Sequence, residues 1–318
     1  MNRFVLGCAA AGACLAPSMA ALAHGIAGAR VFVATLTIDD PAVSDEASFP
    51  TITYLRHGAD GGPGPTYETD ITGEFDKTIT RNFGFAINDG YTVLDTAHDK
   101  TRIGWQDLTV TAKYQVYVNA EHEFMMSLGV IREFGHTGTT HIGADQYGST
   151  TPTVYFGKGL GDLPIGWLRP LAITGTGGFA IADRELKVTG QTVDPDTGLT
   201  SMLFNNGYAN RWVGGLSLQY SIPYLQSQVR HLNIPDFVAR LTPLVELAYS
   251  SPATSPSDLG TQLVFAPGVI YSGDTYQLGI EALIPGNKAS GSNVGVITQF
   301  HVFLDDLFPN SIGRPIFR

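Results

Sequence analysis

The sequence predicts an all-β chain closed into an antiparallel transmembrane barrel of about 12 strands. Three observations carry that prediction. Residues 107–118, DLTVTAKYQVYV, put an apolar side chain at every even position: Leu108, Val110, Ala112, Tyr114, Val116 and Val118. The odd positions are polar except Tyr117. A period of two held this long marks a strand with one apolar and one wet face. Its length exceeds the ~5–6 residues usual in globular sheets and matches the ~9–11 that a tilted strand needs to cross a bilayer. Second, no run after the first 25 residues approaches the ~18 apolar residues of a membrane helix, so a membrane location requires a closed barrel. Third, the connections between successive candidate strands alternate in length.

The elements follow in order. Residues 1–23 read as a secretory signal peptide: Arg3 precedes an apolar run, and Ala21-Leu22-Ala23 is an A-x-A cleavage site. Both cysteines, Cys8 and Cys14, fall inside it. Cleavage would leave His24 at the terminus and a chain without disulfides, held by packing and backbone hydrogen bonds. Residues 24–48 are expected to form a periplasmic N-terminal segment or a plug. Their acidic run, Asp39, Asp40, Asp45 and Glu46, lacks the spacing and glycine of an EF-hand and reads as a solvated segment.

The barrel proper is expected at 49–304. Its candidate strands are 49–57, 67–76, 79–88, 107–118, 121–134, 153–158, 170–182, 208–222, 238–250, 261–272, 275–285 and 294–304. Every odd-numbered connection is long and polar. Three of the even-numbered ones are tight, at 77–78, 119–120 and 273–274. Bacterial barrels keep short turns in the periplasm and long loops outside. Both termini are therefore expected on the periplasmic side, with 89–106, 135–152 and 183–207 outside the cell. Residues 305–318 are expected to form a periplasmic tail.

Alternation also assigns faces. Sets such as Phe83/Phe85/Ile87, Leu216/Leu218/Tyr220, Val245/Leu247/Tyr249 and Leu278/Ile280/Ile284 are expected to face lipid. The opposite parity makes Glu68, Asp70, Glu74, Asp76, Asp107, Lys113, Glu123, Glu133, Arg240, Glu246, Glu281 and His301 candidate lumen-lining residues, since charge is costly in lipid and cheap in a wet lumen. Nine of these are carboxylates, which predicts that cations and neutral solutes pass in preference to anions. Glycines within strands, Gly84 and Gly279 among them, are expected to mark bends or close approaches.

Other chemistry is weakly signalled. His136, His141 and Asp145 share a polar loop without the spacing of a metal site. Ser127 and His122 have opposite parity, so they do not form a nucleophile–base pair on one face. The glycine clusters at 157–159 and 175–178 open no helix and carry no phosphate-loop Lys-Ser/Thr pair. No catalytic residue, metal site or cofactor is expected, and the formal charge of −10 with a pI near 5.1 argues against nucleic acid.

Three segments resemble a known family. RVFVATLTIDDPAVSDEASFPT, TAKYQVYVNAEHEFMMSLGV and FHVFLDDLFPNSIGRPIF are similar to members of the meta-pathway phenol-degradation family of Gram-negative outer-membrane barrels. The resemblance implies a transporter-like barrel and carries no catalytic residues. The function expected is a channel or facilitator for passive uptake of small, aromatic or hydrophobic solutes. The alternatives are an outer-membrane lipid-acting enzyme and a structural barrel with a plugged lumen. The expected partners are outer-membrane lipids and lipopolysaccharide, a small-molecule solute and the barrel-assembly machinery, whose signal the strand at 294–304 resembles.

Overall fold

The computed structural model describes residues 25–58, 64–195, 197, 199–253 and 260–317. The expected leader, 1–23, and His24 lie outside the described residues. Twelve strands form the barrel: β1 (Glu46–His57), β2 (Thr66–Thr80), β3 (Phe83–Thr96), β4 (Thr109–Asn119), β5 (Phe124–Glu133), β6 (Ser149–Gly159), β7 (Leu171–Ala182), β8 (Arg211–Tyr220), β9 (Leu241–Pro252), β10 (Gln262–Ser272), β11 (Tyr276–Pro285) and β12 (Gly295–Phe303). Each pairs antiparallel with its sequence neighbours, and β12 returns to pair with β1, with Ile297 opposite Thr53 and Val302 opposite Ala47. Closure leaves the sheet no free edge, which is the condition for strands in a bilayer. Among the described residues no helix is long and apolar enough to cross a membrane.

The alternation seen in the sequence sets the faces. Phe85, Ile87, Leu128, Val130, Leu216, Leu218, Val245, Leu278 and Ile280 are exposed on the outer surface. Between them, Lys113, Ser127, Tyr155, Thr174, Ser217, Glu246 and Glu281 point inward and are buried. An exposed apolar belt of this extent around a closed sheet is a lipid-facing surface.

Several expected boundaries move. The turn expected at 77–78 is strand. β2 continues to Thr80 because Thr78 stays in register opposite Gly84 and is held by Asp45, and the chain turns instead at Arg81-Asn82. β3 likewise runs on to Thr96, past the expected end at 88, and pairs above the barrel rim with residues 102–105, Tyr91 opposite Trp105. The strand expected to start at 121 starts at Phe124, since Glu123 adopts a left-handed φ of 48° and closes the preceding turn. The short strand expected at 153–158 is a full one, Ser149–Gly159. A second hairpin, Val188–Val193 with Thr200–Phe204, stands in the 183–207 loop apart from the barrel sheet.

The even-numbered connections share one end of the barrel with the N-terminal segment and the tail, and the odd-numbered ones share the other. These are called the turn end and the loop end below. At the turn end a hairpin, Gly25–Ala27 paired with Arg30–Phe32, leads into residues 33–45. This stretch runs inside the barrel rather than beneath it. Val33 packs on Leu244 and Ile270, and Leu36 packs on Ala266, Leu283 and Ile297. Two inward glycines make the room. A Cβ on Gly279 would meet the Leu36 side chain at 2.6 Å, and one on Gly215 would meet Ile38 at 2.4 Å.

The face assignment predicts that Leu128→Arg harms the barrel more than Ile131→Arg, three residues along the same strand. Leu128 is exposed on the outer belt, whereas Ile131 lines an internal cavity with space for a longer side chain. Arginine facing lipid near mid-bilayer costs roughly 2–4 kcal/mol, and a wet lumen accepts it at little cost. Equal losses of folded, heat-modifiable protein would refute the assignment.

Candidate lumenal site

The interior is divided into a filled half and a hollow half. The turn-end half is occupied by residues 25–45, which are fastened to the wall by charge. Arg30 is fully buried. Its guanidinium donates to the Pro170 carbonyl at 3.0 Å, to the Arg169 carbonyl at 2.5 Å and to Glu123 at 3.2 Å. It also lies 3.7 Å from the centre of the Tyr224 ring, and the Tyr224 hydroxyl donates to the other Glu123 oxygen at 2.7 Å. Charge-assisted bonds of this kind are about twice as strong as neutral ones.

Farther along, the Lys113 ammonium donates to Asp39 at 2.8 Å and to the Asp40 carbonyl at 3.0 Å. Ser127 donates to the Pro41 carbonyl at 2.5 Å. Gln277 accepts from the Ala34 amide at 3.1 Å. Glu246 accepts from the Leu36 and Thr37 amides at 3.3 and 2.7 Å, and from the Thr37 hydroxyl. Asp45 accepts from the Thr78 amide and hydroxyl and from the Lys77 ammonium. The acidic run is therefore corrected. Asp40 and Asp45 are buried inside the barrel, Glu46 is largely covered at the start of β1 beside His301, and Asp39 is the exposed member. Burial, with the Glu46 charge adding to it, pushes the Asp40 carboxyl up to about 7.

The loop-end half is hollow. A cavity of about 710 Å³ is lined by Ile131, Ala180, Leu186, Val213, Tyr147 and Tyr208, with Glu133, Asp145 and Arg211 among its polar groups. It shares Thr109, Glu133 and Asp145 with a neighbouring vestibule of about 300 Å³ that also includes Glu68, Thr92 and Asp107. That vestibule shares Asn88 with a deeper polar space of about 200 Å³, where Glu74, Asp76, Glu46 and His301 face Asp39 and Asp40 of the N-terminal segment. The three spaces form a series from the loop end down to residues 34–40.

Glu133 lines the large cavity and the vestibule, and the other candidate lumen residues, Arg240 apart, fall into four groups. Glu68 and Asp70 stand in the loop-end half. Glu68 bonds to His57 at 2.7 Å, and Asp70 accepts from Thr92 and Gln106. Glu74, Asp76 and His301 line the deep space, with His301 3.3 Å from Glu46. Lys113, Glu123 and Glu246 hold the N-terminal segment, directly or through Arg30, and Glu281 is buried in the wall near Glu246. Asp107 fixes a loop, accepting from the Gly138 and Asp145 amides.

Arg240 is a correction. It follows a helical turn at Asp236–Ala239 outside β9, and it bonds Asp274 at 2.6 Å at the turn end, not in the lumen. The parity argument extended β9 one turn too far. Sequence reasoning missed Arg30, Gln277, Arg211 and the Tyr147–Tyr208 pair. The isolated cation at position 30, ahead of a run of carboxylates, was the available signal.

Two weaker readings are also placed. The Ser127 hydroxyl is spent on Pro41, while His122 is exposed and 3.3 Å from Asp162. His141 bonds the Ile103 carbonyl at 2.8 Å, and His136 packs edge-on to Tyr147. Among the described residues no group of three or more His, Cys, Asp or Glu side chains is placed to hold a metal ion.

No family model matches the chain, and no curated protein matches it. Solved structures do. An outer membrane channel from Pseudomonas putida F1 aligns with a TM-score of 0.51 at 9% identity, over 86% of this chain and 99% of that one. The NanC porin aligns at 0.46 and 11% identity, over 80% and 98%. The translocator domain of the autotransporter NalP from Neisseria meningitidis aligns at 0.42 and 10%, over 81% and 87%. At such identities the first of these supports the barrel fold and nothing finer.

The anchoring contacts predict that Ala34→Cys, in a chain lacking residues 1–23, reacts slowly with a water-soluble maleimide, because Ala34 is buried in the folded barrel. Adding Glu246→Gln removes a charged acceptor of three hydrogen bonds. Bonds to charged groups contribute about 1.5–3 kcal/mol, so labelling should accelerate roughly ten- to hundredfold. An unchanged rate would show that the segment is held elsewhere.

Proposed function

We propose that this protein is an outer-membrane channel or facilitator for small solutes, including aromatic and hydrophobic ones. Solutes enter from the loop end, and residues 25–45 form a plug across the lower lumen. The observation that carries this reading is the series of internal spaces that opens at the loop end and stops at the N-terminal segment. A purely structural barrel has no need of a cavity of about 710 Å³ with a mostly apolar lining and a few convergent polar groups. Ligand-binding cavities have that form. The outer-membrane channel named in the comparison has the same overall fold, and the three segments that resemble the meta-pathway phenol-degradation family support the same assignment.

The orientation proposed is loop end outside the cell and turn end in the periplasm, following the sorting of connections by length. The barrel is then surrounded by outer-membrane lipid and lipopolysaccharide and assembled by the barrel-assembly machinery. Ser127 does not serve a lipid-acting enzyme, because it is fully buried and its hydroxyl is spent on Pro41.

Two measurements follow. Single cysteines at Thr140 and Glu121, both exposed, distinguish the faces. Impermeant reagent on intact cells should label Thr140→Cys and spare Glu121→Cys, and the reverse pattern would invert the topology. In planar bilayers the intact chain should conduct weakly, and a chain beginning at Val43 should conduct several-fold more. Equal conductance from two folded, heat-modifiable preparations would exclude residues 25–42 as the barrier.

A further inference from the structure

The loop-end cavity is asymmetric in a way that a neutral solute leaves unused. Its body is apolar, formed by Ile131, Ala180, Leu186 and Val213. Glu133 and Asp145 stand together at one side. The Ser149 hydroxyl donates to Glu133 at 3.0 Å, and the Tyr208 hydroxyl is bonded to Asp145. Neither carboxylate has an ion-pair partner among the described residues. The nearest cation to Glu133 in sequence, Arg132, acts on it through space but spends two bonds of 2.6 and 2.5 Å on Asp183, and Arg184 is bonded to the Tyr147 hydroxyl.

A third carboxylate, Asp107, lies in the adjoining vestibule and contributes a further negative charge. Burial holds the Asp145 carboxyl above its ordinary range, and the Asp107 charge adds to the effect against the Tyr208 bond. Arg211 stands at the far side. Glu133 is registered opposite Ser149, Ser149 opposite Ala182, and Arg211 opposite Ala180. Their backbones are therefore three strand spacings apart, roughly 14 Å along the wall. Arg211 is also turned to the next strand, where it donates to the Ser250 hydroxyl at 2.6 Å and the Ser250 carbonyl at 3.1 Å.

We propose that this cavity is a binding subsite for organic ammonium ions with an apolar body. The ammonium group is held between Glu133 and Asp145, and the apolar part lies against Ile131, Ala180 and Val213. An ammonium supplies the donors and the charge that these two carboxylates lack, and the low-dielectric lining strengthens the pairing. A bare metal ion would leave the apolar lining without a role. An organic anion would meet three carboxylates and a guanidinium already engaged by Ser250. The inference rests on reading the cavity as the solute entrance and names the class of solute it selects.

Three probes of equal length and different head group test it: hexylammonium, hexanol and hexanoate. Their affinities are measured by isothermal titration into the full barrel in uncharged detergent at pH 7 and low salt. Micelle partitioning is measured in protein-free micelles of the same detergent and subtracted. Hexylammonium is expected to bind at least about tenfold more tightly than hexanol, hexanoate more weakly than hexanol, and high salt to shrink the difference. In a Glu133→Gln, Asp145→Asn double variant, hexylammonium should fall to the affinity of hexanol.

Equal affinity of hexylammonium and hexanol for the unmodified barrel would overturn the proposal, as would tightest binding of hexanoate. The unmodified barrel alone decides this, even if the double variant does not fold. The channel reading fails separately, in the bilayer conductance of the chain beginning at Val43.

Discussion

The pairing of β12 with β1 is the contact on which everything else depends. Without it, two strands would present unpaired backbone groups to lipid, and each unsatisfied group there costs several kcal/mol. With it, every strand has two neighbours and the wall encloses an interior of its own. The outer face must then be apolar and the inner face is free to be polar, which is why one strand can carry Leu216 and Leu218 outward and Ser217 and Gln219 inward. The alternation in the sequence is the consequence of two solvents, one on each side of a single sheet.

A barrel of twelve strands is too wide for its inward side chains alone to fill. Here the chain fills half the space with itself. Residues 25–45 bring apolar side chains, Val33, Leu36 and Ile38, against inward alanines, isoleucines and glycines, and bring carboxylates and amides against Lys113, Thr78, Glu246 and Gln277. The charged pairs lie in a half-wet interior and are hydrogen-bonded on several sides, so their desolvation is offset where a bare pair's would not be. What reads in the sequence as a wet wall is, over this half, a set of sockets for another part of the same chain.

This explains what was legible in the sequence and what was not. All twelve strands stood at their expected places because alternation depends only on the two faces. Their ends were less legible where the polar face continued past the membrane. β2 runs on through Lys77 and Thr78, and β3 through Asp89 to Thr96, since polar residues suit a strand in water as well as a turn. Arg240 was misplaced for the converse reason: parity extrapolated beyond a strand has no meaning once the backbone is helical. The acidic run looked solvated because its partners, Lys113, Thr78 and His301, are 33 to more than 250 residues away, and nothing local reveals them. The large cavity was illegible too. It is built from inward positions of five successive strands and from two tyrosines in separate loops, and no single strand carries its pattern.

The way the interior segment is held bears on what it can do. A barrel strand cannot leave the wall, because its backbone bonds would have no replacement in lipid. Residues 33–45 are held differently. No strand is assigned among them, and many of their contacts to the wall run through side chains: Lys113 to Asp39, Glu246 to Thr37, Gln277 to Ala34 and Thr78 to Asp45. Each of those groups can exchange its partner for water, which the cavity above can supply. The segment is therefore removable at the cost of its own contacts alone, while the wall remains intact. Sequence placed the charges on the inner face, and it is their position there that makes an obstruction in the lumen compatible with the channel we propose.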